Sequence, residues 1–141
     1  MIDKLLKWGP IQSGGGLNPF TGSVVQSAIE LGLQDEYLQS LRSTFSKRLG
    51  AMDAGLSSLP VRYTKPTGGY FVWLELPQDI AADTLHKTAL TQNLNFHVGS
   101  KFSSQNALNN YIRLCFSYYD VPEIQEGIHR LKLSFDTLRG S

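Results

Sequence analysis

The sequence predicts an α+β domain of two layers, in which helices pack on one face of a small mixed, largely antiparallel sheet. Strand-like segments are confined to residues 61–116, whereas apolar residues with helical spacing lie before, between and after them. The chain has 141 residues, of which 41% are hydrophobic, enough for one hydrophobic core. Helices on one face of a sheet bury both apolar surfaces, so two layers are expected.

The N-terminal part predicts a loop followed by two helices. Glycine and proline are dense in residues 9–22, which we interpret as a loop. Val24, Val25, Ala28 and Ile29 share one face of a short helix that Gly32 ends. A longer helix that faces the core is predicted by apolar residues spaced three and four apart: Leu38, Leu41, Phe45, Leu49, Met52 and Leu56.

Short strands and two further helices are predicted in the C-terminal part. The strands are expected at residues 61–64, 70–75, 95–98 and 111–116, and the second and fourth are the richest in aromatic and branched residues. Asp79 is expected to cap a helix that runs to about Gln92. Asp120 and Glu123 form an acidic version of a capping box and start the last helix.

Composition excludes several classes of function. A net charge of +1 with scattered basic residues gives no field that would attract nucleic acid. No segment approaches the ~20 apolar residues that span a bilayer, so we expect no membrane partner and a cytoplasmic location. The single cysteine, Cys115, excludes an internal disulfide, fits a reducing compartment, and is expected to be a buried residue of its strand.

The sequence contains no self-sufficient catalytic set. His86, His97 and His129 lie far apart and lack the spacing of metal ligands, so no metal site is expected. No nucleophile motif is present either.

One arginine stands at the centre of an apolar strand, Asn110-Tyr111-Ile112-Arg113-Leu114-Cys115-Phe116-Ser117. A guanidinium is always charged, and its planar fork of donors matches a carboxylate in two parallel hydrogen bonds. Alternation along the strand puts Tyr111, Arg113 and Cys115 on one face. Two interpretations follow from this pattern: Arg113 binds a carboxylate ligand, or it extends its tip from an edge strand into water.

Several motifs, in order, resemble the C-terminal small domain of the class I/II aminotransferases, which are fold-type-I pyridoxal-phosphate enzymes. The resemblance runs from about residue 14 to residue 137, through a glycine-rich approach, a long helix and a final amphipathic helix. Its three sequence motifs are Pro66-Thr67-Gly68-Gly69-Tyr70-Phe71-Val72-Trp73-Leu74, Val98-Gly99-Ser100-Lys101-Phe102 and Tyr111-Ile112-Arg113-Leu114-Cys115-Phe116-Ser117. Val98 departs from the family pattern, which usually has proline before that glycine.

The resemblance implies a division of the chain and roles for particular residues. Residues 1–22 would be an N-terminal loop or interdomain segment, and residues 23–141 the small domain. Arg113 would bind the α-carboxylate of the substrate, with Asn18 and Tyr70 as further substrate-binding residues. No catalytic or cofactor-binding residue is expected in the chain, because the family's Schiff-base lysine lies in the large domain.

The resemblance also implies a function for a longer parent enzyme. That enzyme would use pyridoxal phosphate to transfer an amino group between an amino acid and a 2-oxo acid, and would be a cytoplasmic homodimer. The chain alone, without the large cofactor-binding domain, is expected to hold no cofactor and to be inactive. Two alternatives remain open: a small-carboxylate-binding module without catalysis, and a dimerisation module derived from the same fold.

Overall fold

The computed structural model describes Lys7 and residues 18–105 and 107–140. By its contacts the chain divides between Leu41 and Arg42 into two compact units. The described residues form four helices, three strands and a 3₁₀ turn. In chain order these are α1 (Pro19–Glu30), α2 (Leu33–Leu56), β1 (Phe71–Glu75), α3 (Ala82–Thr91), β2 (His97–Val98), the 3₁₀ turn (Gly99–Phe102), β3 (Tyr111–Cys115) and α4 (Val121–Arg139).

Helix α1 belongs to the first unit and begins earlier than the sequence predicts. The Asn18 side-chain oxygen accepts hydrogen bonds from the backbone N–H groups of Phe20, at 3.0 Å, and Thr21, at 3.4 Å. This cap starts the helix at Pro19, so residues 19–22 are helical and not part of a loop. The rest of the predicted loop, residues 9–17, lies outside the described residues. Gly32, at φ +68°, follows the helix as predicted.

The sheet belongs to the second unit and has the strand order β1-β3-β2, with both pairs antiparallel. Strand β3 is therefore central, and its residue Arg113 lies opposite Trp73 on β1 and His97 on β2. The strand predicted at residues 61–64 is reduced to one bridge between Arg62 and Glu75.

Helices cover one face of this sheet, as the sequence predicts. Alternation along β1 and β3 directs Val72, Leu74, Ile112 and Leu114 into the core, where all four are buried. Buried side chains from α2, α3 and α4 complete the same cluster; they include Met52, Leu56, Leu85, Ala89, Ile124, Ile128, Leu131 and Phe135. The opposite face of the sheet has no helix of this core packed on it and carries the side chains considered below.

One helix prediction is corrected, one is confirmed in part and one in full. The apolar stripe of α2 faces the core at Phe45, Leu49, Met52 and Leu56, whereas Leu38 is exposed. Helix α3 begins at Ala82, with no side-chain cap, and not at Asp79, because residues 77–80 form a turn closed by Ile80 N–H and the Pro77 carbonyl. The capping box at Asp120 is present in full.

Hydrogen bonds and an ion pair connect α2 to the segment that leads into β1. The Tyr63 hydroxyl donates to an Asp53 carboxylate oxygen at 2.8 Å, and Lys65 Nζ binds the other oxygen at 2.7 Å. The hydrogen bond from Lys65 lowers the pKa of Asp53 the most, and the hydrogen bond from Tyr63 lowers it further. The pKa of Tyr63 is raised to about 12, mainly because the hydroxyl is partly buried and also because it donates a hydrogen bond to Asp53.

The raised pKa of Tyr63 predicts a loss of stability in alkali. An unfolded tyrosine ionises near pH ~10, whereas the folded state retains this proton up to pH about 12, so the free energy of unfolding should fall across that interval. We expect Tyr63→Phe to lose less stability than the parent between about pH 9 and about pH 11 in urea unfolding. Tyr37→Phe, at an exposed tyrosine of α2, is the control. An equal loss of stability in all three proteins would contradict the assignment.

Candidate functional site

The open face of the sheet carries a row of three side chains across its strands. Trp73, Arg113 and His97 are register partners on β1, β3 and β2. Side chains directly opposite each other on antiparallel strands lie within about 5.5 Å at their Cβ atoms. Trp73 is 38% exposed and Arg113 is half-buried, so the row lies at the surface with its central cation partly withdrawn from water.

The Arg113 guanidinium is held between two aromatic rings. Its central carbon lies 3.9 Å from the ring centroid of Phe71 and 4.4 Å from that of Phe102. Such stacking is a cation–π contact that orients the planar group. Nε is buried, and no residue in the described parts of the chain accepts a hydrogen bond from it. Arg113 is therefore an oriented cation without a protein counter-ion in the described ranges.

Local backbone structure explains how both rings reach Arg113. Phe71 lies two residues before Trp73 on β1 and therefore on the same face of the sheet. Phe102 ends the 3₁₀ turn and also contacts Trp73, with 5.2 Å between ring centroids. Gly99 starts this turn against the backbone of the following loop, where an added Cβ would lie 2.5 Å from the Leu108 carbonyl oxygen.

A cavity of about 780 Å³ opens beside Arg113. Its lining includes Phe71, His97 and Cys115 from the strands, core residues such as Met52 and Leu114, and part of α4. Two carboxylates of α4 also line it, and both have partners: Glu123 closes the capping box and Glu126 binds Arg130 at 2.7 Å. The cavity thus places apolar and polar side chains next to an unpaired guanidinium, as ligand sites commonly do.

The other residues singled out in the sequence occupy different positions. Tyr70 is exposed, and its ring contacts Phe45 at 5.6 Å and Phe71 at 6.4 Å between centroids. Asn18 lies in the first unit, where its side chain caps α1. Cys115 is exposed and not buried, because it shares the open face of β3 with Arg113; its sulfur lies 3.2 Å from the Ser117 hydroxyl.

The described lysines do not fit a pyridoxal-phosphate site. Lys65 and Lys132 are paired with carboxylates, and Lys101 is exposed in the 3₁₀ turn. Lys47 and Lys87 are exposed on α2 and α3, and Lys7 is exposed as well. Within the described ranges no cluster of three or more potential metal ligands occurs, and no helix there is both long and apolar enough to cross a membrane.

Among the curated proteins to which the chain is similar, one is named as a transaminase and another as a transcriptional regulator. It is 37% identical over 99 residues to the 2-aminoadipate transaminase of Thermus thermophilus, covering 68% of this chain and 25% of that protein. It is 25% identical over 132 residues to an uncharacterized HTH-type transcriptional regulator of Bacillus subtilis (strain 168), YdfD, covering 91% of this chain and 27% of that protein. No protein-family model matches the sequence.

A solved structure shares both fold and sequence with the chain. The α-aminoadipate aminotransferase LysN from Thermus thermophilus, complexed with N-(5'-phosphopyridoxyl)-L-leucine, aligns with a TM-score of 0.74 and 33% identity, over 82% of this chain and 30% of that one. The chain therefore spans between a quarter and a third of the length of these relatives. By sequence and by fold, the chain is related to the class I/II pyridoxal-phosphate-dependent aminotransferases and resembles their C-terminal small domain.

Proposed function

We propose that this chain is the carboxylate-binding domain of an aminotransferase, and that Arg113 binds the carboxylate of an amino acid or 2-oxo acid. The observation that carries the proposal is the guanidinium held between Phe71 and Phe102 with no described hydrogen-bond acceptor. A bidentate, charge-assisted pair would contribute about 1.5–3 kcal/mol to binding.

In this proposal the side chains of this domain bind and orient the substrate. The two rings fix the plane of the guanidinium, so a carboxylate that bonds to its free nitrogens is bound in one orientation, which is a positioning contribution. The Schiff-base lysine and the pyridoxal phosphate would come from a large domain encoded outside these 141 residues. The 141-residue chain by itself is then expected to show no transaminase turnover.

The rest of the proposal concerns the organisation of the parent enzyme. Residues 23–141 would form the small domain, and residues 1–22 would connect it to the large domain. Asn18 and Tyr70 would contribute to substrate binding once the large domain is in place. The parent would be a cytoplasmic homodimer.

The test is a titration of the isotope-labelled chain with pyruvate, followed by NMR. We expect weak saturable binding that Arg113→Met weakens by about 10- to 100-fold, which is the loss of one bidentate pair. Arg42→Met is the control, because Arg42 is an exposed arginine of α2. Equal effects of the two substitutions, or no saturable binding in the parent chain, would contradict the proposal.

A second candidate function is carboxylate binding without catalysis. It is favoured by the relative from Bacillus subtilis that is named as a transcriptional regulator. Both candidates require Arg113-dependent binding by the isolated chain. They differ when the chain is joined to its adjoining sequence: turnover of an amino acid with a 2-oxo acid supports the first, and binding without turnover the second.

A further inference from the structure

His97 is a further side chain beside Arg113 that can carry a positive charge. It is the register partner of Arg113, and both residues line the same cavity. Its ring lies 6.0 Å from that of Phe102, the ring that also covers the guanidinium. His97 is exposed, and none of the ion pairs or side-chain hydrogen bonds among the described residues involves it.

We propose that His97 is a second anion-binding residue of this site, so that a carboxylate held by Arg113 also interacts with a protonated His97 imidazole. This inference rests on the proposed function. Like charges directly opposite on antiparallel strands repel each other. A carboxylate bound beside both groups would offset that repulsion, so protonation of His97 and binding of the anion should favour each other.

The charged groups around His97 bear on whether its protonation and anion binding can favour each other. The elements packed against β2 are β3, the 3₁₀ turn and α3, and α4 also lines the cavity. Of the carboxylates on these elements, Glu123, Glu126 and Asp136 are engaged within α4, and Asp83 lies in the first turn of α3. Three elements beside β2 carry charged or titratable residues: on β3 these are Tyr111, Arg113 and Cys115, in the turn Lys101, and on α3 Asp83, His86 and Lys87. The charged residues of α4 that line the cavity are Glu123, Glu126 and Arg130.

The test measures pyruvate affinity by NMR at constant ionic strength, at about pH 5.5 and about pH 8.0, an interval in which imidazoles change charge. We expect the parent chain to bind about two- to fivefold more tightly at the lower pH, the size of an exposed charge contact. His97→Gln should abolish this difference and still bind. His86→Gln and His129→Gln, at the other two histidines of the chain, should retain it.

Each remaining outcome has a separate meaning. Binding that depends on Arg113, with the same pH dependence in the parent chain and in His97→Gln, overturns the role of His97 and leaves the proposed function standing. Loss of the pH dependence in His86→Gln or His129→Gln also overturns it. Absence of Arg113-dependent binding at both pH values refutes the proposed function, and the role of His97 with it.

Discussion

Replacing Gly99 with alanine is expected to destabilise the fold by about 3 kcal/mol, the upper part of the range for overpacking. The new Cβ would lie 2.5 Å from the Leu108 carbonyl oxygen and 2.8 Å from Tyr111 Cβ. Both neighbours are rigid, since one is backbone and the other is the first side-chain atom of a strand residue. The 3₁₀ turn must therefore move, and Phe102 moves with it.

Thermal unfolding checks this expectation. A loss of that size in a domain this long should lower the melting temperature by roughly 6–12 °C. Gly68→Ala is the matched control, because nothing lies within 4 Å of a Cβ added there, and we expect a change within about 0.5 kcal/mol. Similar melting temperatures for the two variants would show that the close approach at Gly99 is absent in solution.

Replacing Arg113 with lysine is expected to weaken pyruvate binding by about tenfold although the positive charge is kept. An ammonium lacks the planar fork, so it cannot form two parallel hydrogen bonds or stack between two rings as a guanidinium does. Folding stability should change little, because the Arg113 side chain is half-buried and takes part in none of the described hydrogen bonds or ion pairs. NMR titration gives the affinity and urea unfolding gives the stability.

Comparing the pyruvate affinities of Arg113→Lys and Arg113→Met separates the contribution of the positive charge from that of the planar guanidinium geometry. If lysine retained the affinity of the parent chain, binding would depend on net charge alone, and the stacked orientation of the guanidinium would have no role. If Arg113→Lys unfolded at markedly lower urea than the parent, the arginine would be a structural residue and the affinity comparison would have to be made on another variant.

The sequence predicts much of this fold because its strongest patterns are local. The alternation in residues 111–116 places Arg113 on the open face and Ile112 and Leu114 in the core, and the structure agrees. The capping box at Asp120 is also a local signal and is confirmed. The failures at residues 61–64 and at Asp79 arise because turn geometry and pairing with distant segments decide the outcome there.

The surroundings of Arg113 could not be predicted, because they depend on register and on a close backbone approach. Phe71 and Phe102 are present in motifs that resemble the family, yet alternation alone does not place them over the guanidinium. His97 becomes a neighbour of Arg113 only through the pairing of β2 with β3. The prediction that Cys115 is buried is wrong, because an apolar run suggests two covered faces, whereas the face that carries Cys115 and Arg113 is open.

The most direct test of the site is the response of the individual arginine side chains to pyruvate, observed by ¹⁵N NMR of the guanidinium groups. We expect the Arg113 signals to shift the most, along a saturable curve, while those of the exposed Arg42 stay nearly constant. Equal, unsaturated shifts at all arginines would contradict the claim that this sheet face contains a carboxylate site.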